Sequence, residues 1–297
     1  MRALAEYIMR GRMQATLVVV VAAALPMLFW LSAAAGSLVL LRRGLRDALG
    51  ILVWALLPAL VWWYFGEPRT LLVLLGTLGL ALALRASGSW SRVLLLSVGL
   101  GVIYSLVLES LFGGLIATTV SELQALLPKV LEGVYEQLTA TEQAKLESLL
   151  APVMVGLMAA VLQIVSLLAL LLGRYWQALL YNPGGFGSEF RALKLPAPLA
   201  FGLLLVMLLA PNFGVQLAML MPLCSVPLAF AGLALLHGLV VQGKLARFWL
   251  VGLYVSLLLF MQLVYPLLVM LAVVDSLIDF RRRLAPKNGA GPANGES

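Results

Sequence analysis

LLAPVMVGLMAAVLQIVSLLALLLG, residues 149–173, runs for 25 residues without a charged side chain. A helix rises about 1.5 Å per residue, and about 20 apolar residues cross the roughly 30 Å hydrocarbon core of a bilayer. The stretch is therefore long enough to span a membrane. It lacks the period-two alternation of polar and apolar residues that a barrel strand requires. Backbone in lipid must satisfy its own hydrogen bonds, so such a run reads as a helix.

Working outward, the same pattern recurs at 13–41, 49–65, 70–84, 93–117, 197–210, 213–241 and 248–274. Of 297 residues, 63% are hydrophobic and 11% charged, where a soluble domain carries about 25% charged residues. A soluble chain of this length has too few polar groups here to cover its surface. The expected fold class is all-α, a polytopic transmembrane helix bundle of about eight spans. Pro26 in 13–41 and Pro266 in 248–274 each remove a backbone donor. If these stretches fold back there, the count rises to nine or ten. One transmembrane domain is expected over 1–284, and the Gly-, Pro- and Asn-rich tail 285–297 is expected to be disordered.

The formal charge is +7. Its basic residues sit in short stretches between apolar runs: Arg42, Arg43 and Arg46; Arg85 and Arg92; Lys244 and Arg247. That is the placing of cytoplasmic loops. Nucleic-acid binding needs a basic stripe or a stacking platform and is excluded; the lipid bilayer is the expected partner. The segment 174–196, with Arg174, Arg191 and Lys194, is expected inside. The segment 118–148, with Glu122, Glu132, Glu136, Glu142 and Glu147 against Lys129 and Lys145, is expected outside. If 13–41 makes two passes, a cytoplasmic N-terminus fits the internal loops. Arg281, Arg282 and Arg283 then fall outside, unless 248–274 also folds back. Arg2, Arg10 and Arg12 before an apolar run imitate a secretory signal. The apolar character continues through Leu41, so an uncleaved first segment is expected.

In the acidic segment, Leu123, Leu127, Val130, Val134 and Leu138 recur at helical spacing. Thr139 and Glu142 fit a capping box. Two amphipathic helices are expected on the outer membrane surface or over the bundle, as a structural lid, a gate or a partner-docking element.

Enzyme motifs are absent: there is no phosphate loop, no H-E-x-x-H and no G-x-S-x-G elbow. With one cysteine, Cys224, and one histidine, His237, there is no zinc spacing. No catalytic residue, cofactor or metal is expected. Glu109 is the most informative ionisable residue, because a carboxylate within an apolar span marks a solute or proton path by default. Against that stands a Glu that snorkels outward or is satisfied by Tyr104 or Ser110. The candidate binding residues are Glu109, Tyr104 and His237. His237 reads first as a hydrogen bond between helices, with a proton-linked or ligand contact as the alternative. Gln163, Gln216 and Gln262 read as helix glue, and Gly99, Gly101, Gly113 and Gly114 as close-packing positions. The loop motif Asn182-Pro183-Gly184-Gly185-Phe186-Gly187-Ser188-Glu189-Phe190-Arg191 is either an anion nest or a tight turn with Glu189 and Arg191 paired or solvated.

The Arg43-Gly44-Leu45 turn, the acidic insert, the N-P-G-G-F-G-S-E-F-R loop and the closing Val274-Asp275-Ser276-Leu277-Ile278-Asp279-Phe280-Arg281 resemble those of the bacterial YybS-like membrane proteins. That family looks distantly like the substrate-binding membrane subunits of energy-coupling-factor transporters. The resemblance implies a bacterial inner-membrane protein with an outward-facing small-solute site, served by external ATPase and coupling subunits. Such transport-related binding is the first functional expectation. A non-transporting scaffold or assembly partner is the alternative. A membrane-embedded enzyme, with Glu109, His237 and Tyr104 converging, is the third reading.

Overall fold

The computed structural model describes residues 1–131, 133–246 and 248–283; Glu132, Arg247, Leu284 and the tail 285–297 lie outside the described residues. Every regular element among the described residues is helical. Helix α1 (Arg2–Arg10) is amphipathic and buries Ala5 and Ile8. Helices α2 (Arg12–Ala24) and α3 (Phe29–Arg43) divide the stretch 13–41 at Leu25–Pro26, where the proline predicts a break. Then follow α4 (Leu45–Tyr64), α5 (Arg69–Ser87), α6 (Trp90–Val130), α7 (Ala140–Tyr181), α8 (Gly185–Ala192), α9 (Ala197–Phe213) and α10 (Leu220–Val241). The chain closes with α11 (Phe248–Leu259), α12 (Met261–Ile278) and α13 (Phe280–Arg283). The stretch 248–274 thus breaks at Phe260 rather than at Pro266, which α12 absorbs.

Among the described residues, six helical segments are long and apolar enough to cross a membrane: α4, α5, α6, α7, 215–241 and α12. The pair α8 and α9, bent by 64°, makes a seventh if counted as one span. Eight apolar stretches are nevertheless present. The difference arises because 13–41 is divided into α2 and α3, of 13 and 15 residues, which rise only about 20 Å each, and because α9, with 17 residues, passes only together with α8.

Helix α3 is one centre of the bundle. Residues 32–41 are buried without interruption, and α2, α4, α5 and α7 surround them. A helix apolar all round belongs in a core, and Ser32, Ala33, Ala34, Ala35, Gly36 and Ser37 are small enough to let backbones approach. Helix α10 is the second centre, packed by α6, α7, α9 and α12, and α7 touches both centres.

One end of the bundle is tied by basic side chains. Arg43 donates to the Met9 carbonyl (2.8 Å), and Arg85 to those of Leu40 and Leu41 (2.9 Å each). The Ser91 hydroxyl donates to the Lys194 carbonyl (2.9 Å). Arg281 donates to the carbonyls of Arg191 (2.6 Å) and Leu193 (2.8 Å). These bonds bring the starts of α2, α4, α6 and α9 and the ends of α3, α5 and α12 together. Because α2–α3 and α11–α12 are both hairpins, the basic clusters of the described residues meet at this end. Both apolar stretches therefore fold back, and the arginines after α12 no longer oppose the other loops. At the opposite end, among the described residues, stand Glu67, Glu122, Glu136, Glu142 and Glu147 with Arg69, Lys129 and Lys145.

The acidic segment is not a pair of separate surface helices. Helix α6 runs unbroken through Leu123 and Leu127 to Val130, and α7 starts at Ala140. With 41 and 42 residues, each measures roughly 60 Å, twice the bilayer core. Polar segment 118–130 simply prolongs the apolar span, since no glycine or early proline interrupts it. The capping box forms: the Glu142 amide donates to Thr139 Oγ1 (3.4 Å) and the Thr139 amide to Glu142 Oε2 (2.8 Å). Tyr135 closes the tip by donating to Glu147 Oε1 (2.6 Å).

Those Thr139 bonds hold the Glu142 carboxyl below its ordinary range. A carboxyl held low contributes stability above its unfolded value of about 4.3 and loses it as pH falls through the folded value. The amides of Thr139, Glu142 and Gln143, corrected for intrinsic rate, are expected to exchange slowly at neutral pH and faster below about pH 4. Equal protection at both would contradict the cap.

Candidate functional site

Tyr104 is buried on α6; its hydroxyl donates to the Leu72 carbonyl (2.9 Å) and pairs with Ser166 Oγ (2.9 Å). Glu109, on the same helix, is exposed on the outer surface. Five residues turn a helix by about 140° beyond a full turn, so the two side chains leave on different faces. Neither expected partner serves Glu109: Tyr104 is engaged inside, and Ser110 donates to the Val107 carbonyl (2.8 Å). The exposure of Glu109 matches the outward-snorkelling alternative.

His237 lies near the end of α10, at the basic end. Its Nδ1 is 2.9 Å from the Leu233 carbonyl and its Nε2 3.3 Å from the Tyr254 hydroxyl. A carbonyl only accepts, so Nδ1 carries a proton, and Nε2 pairs with the Tyr254 hydroxyl on α11. Phe190 and Tyr254 meet the ring edge-on. This is the helix-to-helix bond that is the first reading of His237. Glu109, Tyr104 and His237 do not converge.

The interior polar groups form a seam. Thr77 Oγ1 donates to the Ser166 carbonyl (3.3 Å), and Gln163 Nε2 to Ser97 Oγ (2.9 Å) and the Leu223 carbonyl (3.3 Å). The seam pins α5, α6, α7 and α10 together. It is filled rather than hollow: a Cβ at Gly76 would strike the Tyr104 hydroxyl. Of the three glutamines, Gln163 glues helices, while Gln216 and Gln262 are exposed. Of the four expected packing glycines, only Gly101 has close neighbours; a Cβ at Gly99, Gly113 or Gly114 would meet nothing.

The motif from Asn182 to Arg191 is a tight turn followed by α8. Gly184 has φ +85°, the left-handed conformation that favours glycine. The Gly185 amide donates to the Asn182 carbonyl (3.0 Å) and the Ser188 amide to the Gly184 carbonyl (3.3 Å). These amides, with that of Gly187 between them, begin α8 rather than opening as a nest. Glu189 accepts from Arg174, through Nε (2.9 Å) and Nη2, not from Arg191. Residues two apart on a helix do not face each other. Among the described residues no three His, Cys, Asp or Glu side chains cluster to hold a metal.

What distinguishes the exterior is the tip of the α6–α7 hairpin. Ile116, Val120 and Val155 are buried at its base against Phe112, Leu150, Ala151 and Met154. Beyond this small core, Leu123, Leu126, Val130 and Val134 are uncovered. Leu126 was not on the face read from spacing; it extends that face sideways. Lys145 Nζ donates to Asn212 Oδ1 (3.2 Å), tying α7 to the end of α9. Side chains on a hairpin held by a cap, a core and a cross-tie present a fixed surface.

The helices define a multi-pass integral membrane protein. No protein-family model matches the chain, and no curated protein or solved structure matches it either.

Proposed function

We propose that the protein is a membrane-anchored docking scaffold, the non-transporting reading of the sequence. The observation that carries it is the uncovered apolar stripe Leu123, Leu126, Val130 and Val134 on a hairpin that outruns the bilayer. Apolar side chains that lipid does not cover cost free energy in water and mark interaction surfaces. Glu122 and Glu136 flank the stripe, so the fitting partner has an apolar ridge bordered by Lys or Arg. By the positive-inside rule the basic end faces the cytoplasm of a bacterial inner membrane, and the hairpin points outward. The transport reading, with its ATPase and coupling subunits, asks for a polar hollow. The polar seam is occupied by its own side chains.

A photo-crosslinking residue at Leu126 or Val130 tests this in native membranes, with Val161, an exposed residue within the apolar run of α7, as control. The expected result is a stoichiometric protein adduct at 126 and 130 and none at 161, lost on Leu123→Ser with Val134→Ser. Absence of any protein adduct at the tip would falsify the docking role.

A further inference from the structure

We propose that the groove between α5 and α6 binds one phospholipid with an anionic headgroup, its acyl chain passing Gly79 and Gly99 and its phosphate meeting Arg92. The groove has a volume of about 520 Å³ and apolar walls that include Leu75, Gly79, Ala83, Leu96, Gly99 and Ile103. It exists because two glycines lack side chains: a Cβ at either Gly79 or Gly99 would meet nothing within 4 Å. It runs along α5 from Leu72 to Ala83, a rise of about 16 Å. That is half of the roughly 30 Å hydrocarbon core, the depth of one leaflet. A partner transmembrane helix needs the full depth, so a single lipid chain fits the length better.

Charge identifies the headgroup. Residues Arg92, Leu96, Gly99 and Ile103 follow one helix face, which places Arg92 at the mouth of the groove on the basic end. Arg92 is exposed and makes no hydrogen bond or ion pair among the described residues. Arg85 nearby is already engaged by the Leu40 and Leu41 carbonyls. A guanidinium at headgroup level is a bidentate phosphate partner, and its stem can follow the apolar wall. The site lies away from the hairpin tip and does not depend on the docking role.

Native mass spectrometry of the full chain, after mild delipidation and exchange into mixed phosphatidylglycerol and phosphatidylcholine, tests the assignment. One phosphatidylglycerol is expected to be retained with about fivefold preference, the worth of one charge at a membrane surface. Arg92→Gln should abolish the preference while a lipid of either kind is still held. Gly79→Leu with Gly99→Leu should remove the retained lipid with the thermal midpoint unchanged, because the added side chains enter open space. Unaltered preference in Arg92→Gln would overturn the headgroup contact. Retention in the filled variant, or capture of a protein instead of a lipid by a photo-crosslinker at Leu96, would overturn the site.

Discussion

Gly232→Ala is expected to lower the unfolding midpoint of the detergent-solubilised protein sharply. A Cβ there would strike the Leu268 carbonyl, with the Leu268 Cα at 3.2 Å. The obstacle is backbone, so no rotamer change relieves it; α10 and α12 must part. Overpacking of a tight contact costs about 1–3 kcal/mol and occasionally more, and this contact belongs to the second centre of the bundle. Gly156→Ala should behave alike, since its Cβ would lie 2.5 Å from the Met219 carbonyl and 2.8 Å from that residue's Cα. Gly202→Ala is the control: its Cβ meets nothing, and alanine favours a helix by up to about 1 kcal/mol over glycine. Its midpoint should hold or rise. A fall for Gly202→Ala equal to that for Gly232→Ala would mean that the helices do not cross where described.

Arg281→Met should cost about 3–5 kcal/mol, the range for stripping one partner from a buried charge pair. Arg281 fastens the 191–193 backbone to the end of α12 and lies 3.8 Å from Asp275, which is 3% exposed and accepts from the Phe280 amide (3.0 Å). Without the guanidinium, Asp275 keeps one backbone bond and no nearby countercharge from Arg281. Adding Asp275→Asn should recover part of the loss, since no buried charge is then left alone. Chemical denaturation of the two single variants and the double variant gives the coupling. Strict additivity would show that the two side chains act separately.

Much of the fold was legible because lipid imposes a simple rule: long uncharged runs become helices. The break at Leu25–Pro26 and the Thr139–Glu142 cap were both readable, since each depends on adjacent residues. The placing of charge left two topologies open. Only the fold-back of α11 onto α12 resolves them, and that break falls at Phe260, where no proline or glycine announces it. Candidate sites fared differently. A carboxylate in an apolar run signals a cavity only if it faces inward, and periodicity over an almost wholly apolar helix does not say which face is inside. The spacing puts Tyr104 and Glu109 on different faces, but which of the two faces inward could not be read from sequence. Nor could Arg174 be matched with Glu189, a pairing made by the turn at Gly184. The groove at Gly79 and Gly99 was invisible because an absent side chain leaves a hollow only beside a particular neighbour.

The arrangement as a whole requires every basic cluster on one side of the membrane and the hairpin tip on the other. Single-cysteine labelling in a Cys224→Ser background measures this directly with a membrane-impermeant maleimide. Gln137→Cys should label in intact cells. Arg46→Cys, Gly187→Cys, Lys244→Cys and Arg283→Cys should label only after permeabilisation. Labelling of Lys244→Cys or Arg283→Cys from the same side as Gln137→Cys would contradict the paired hairpins and the single basic face they create.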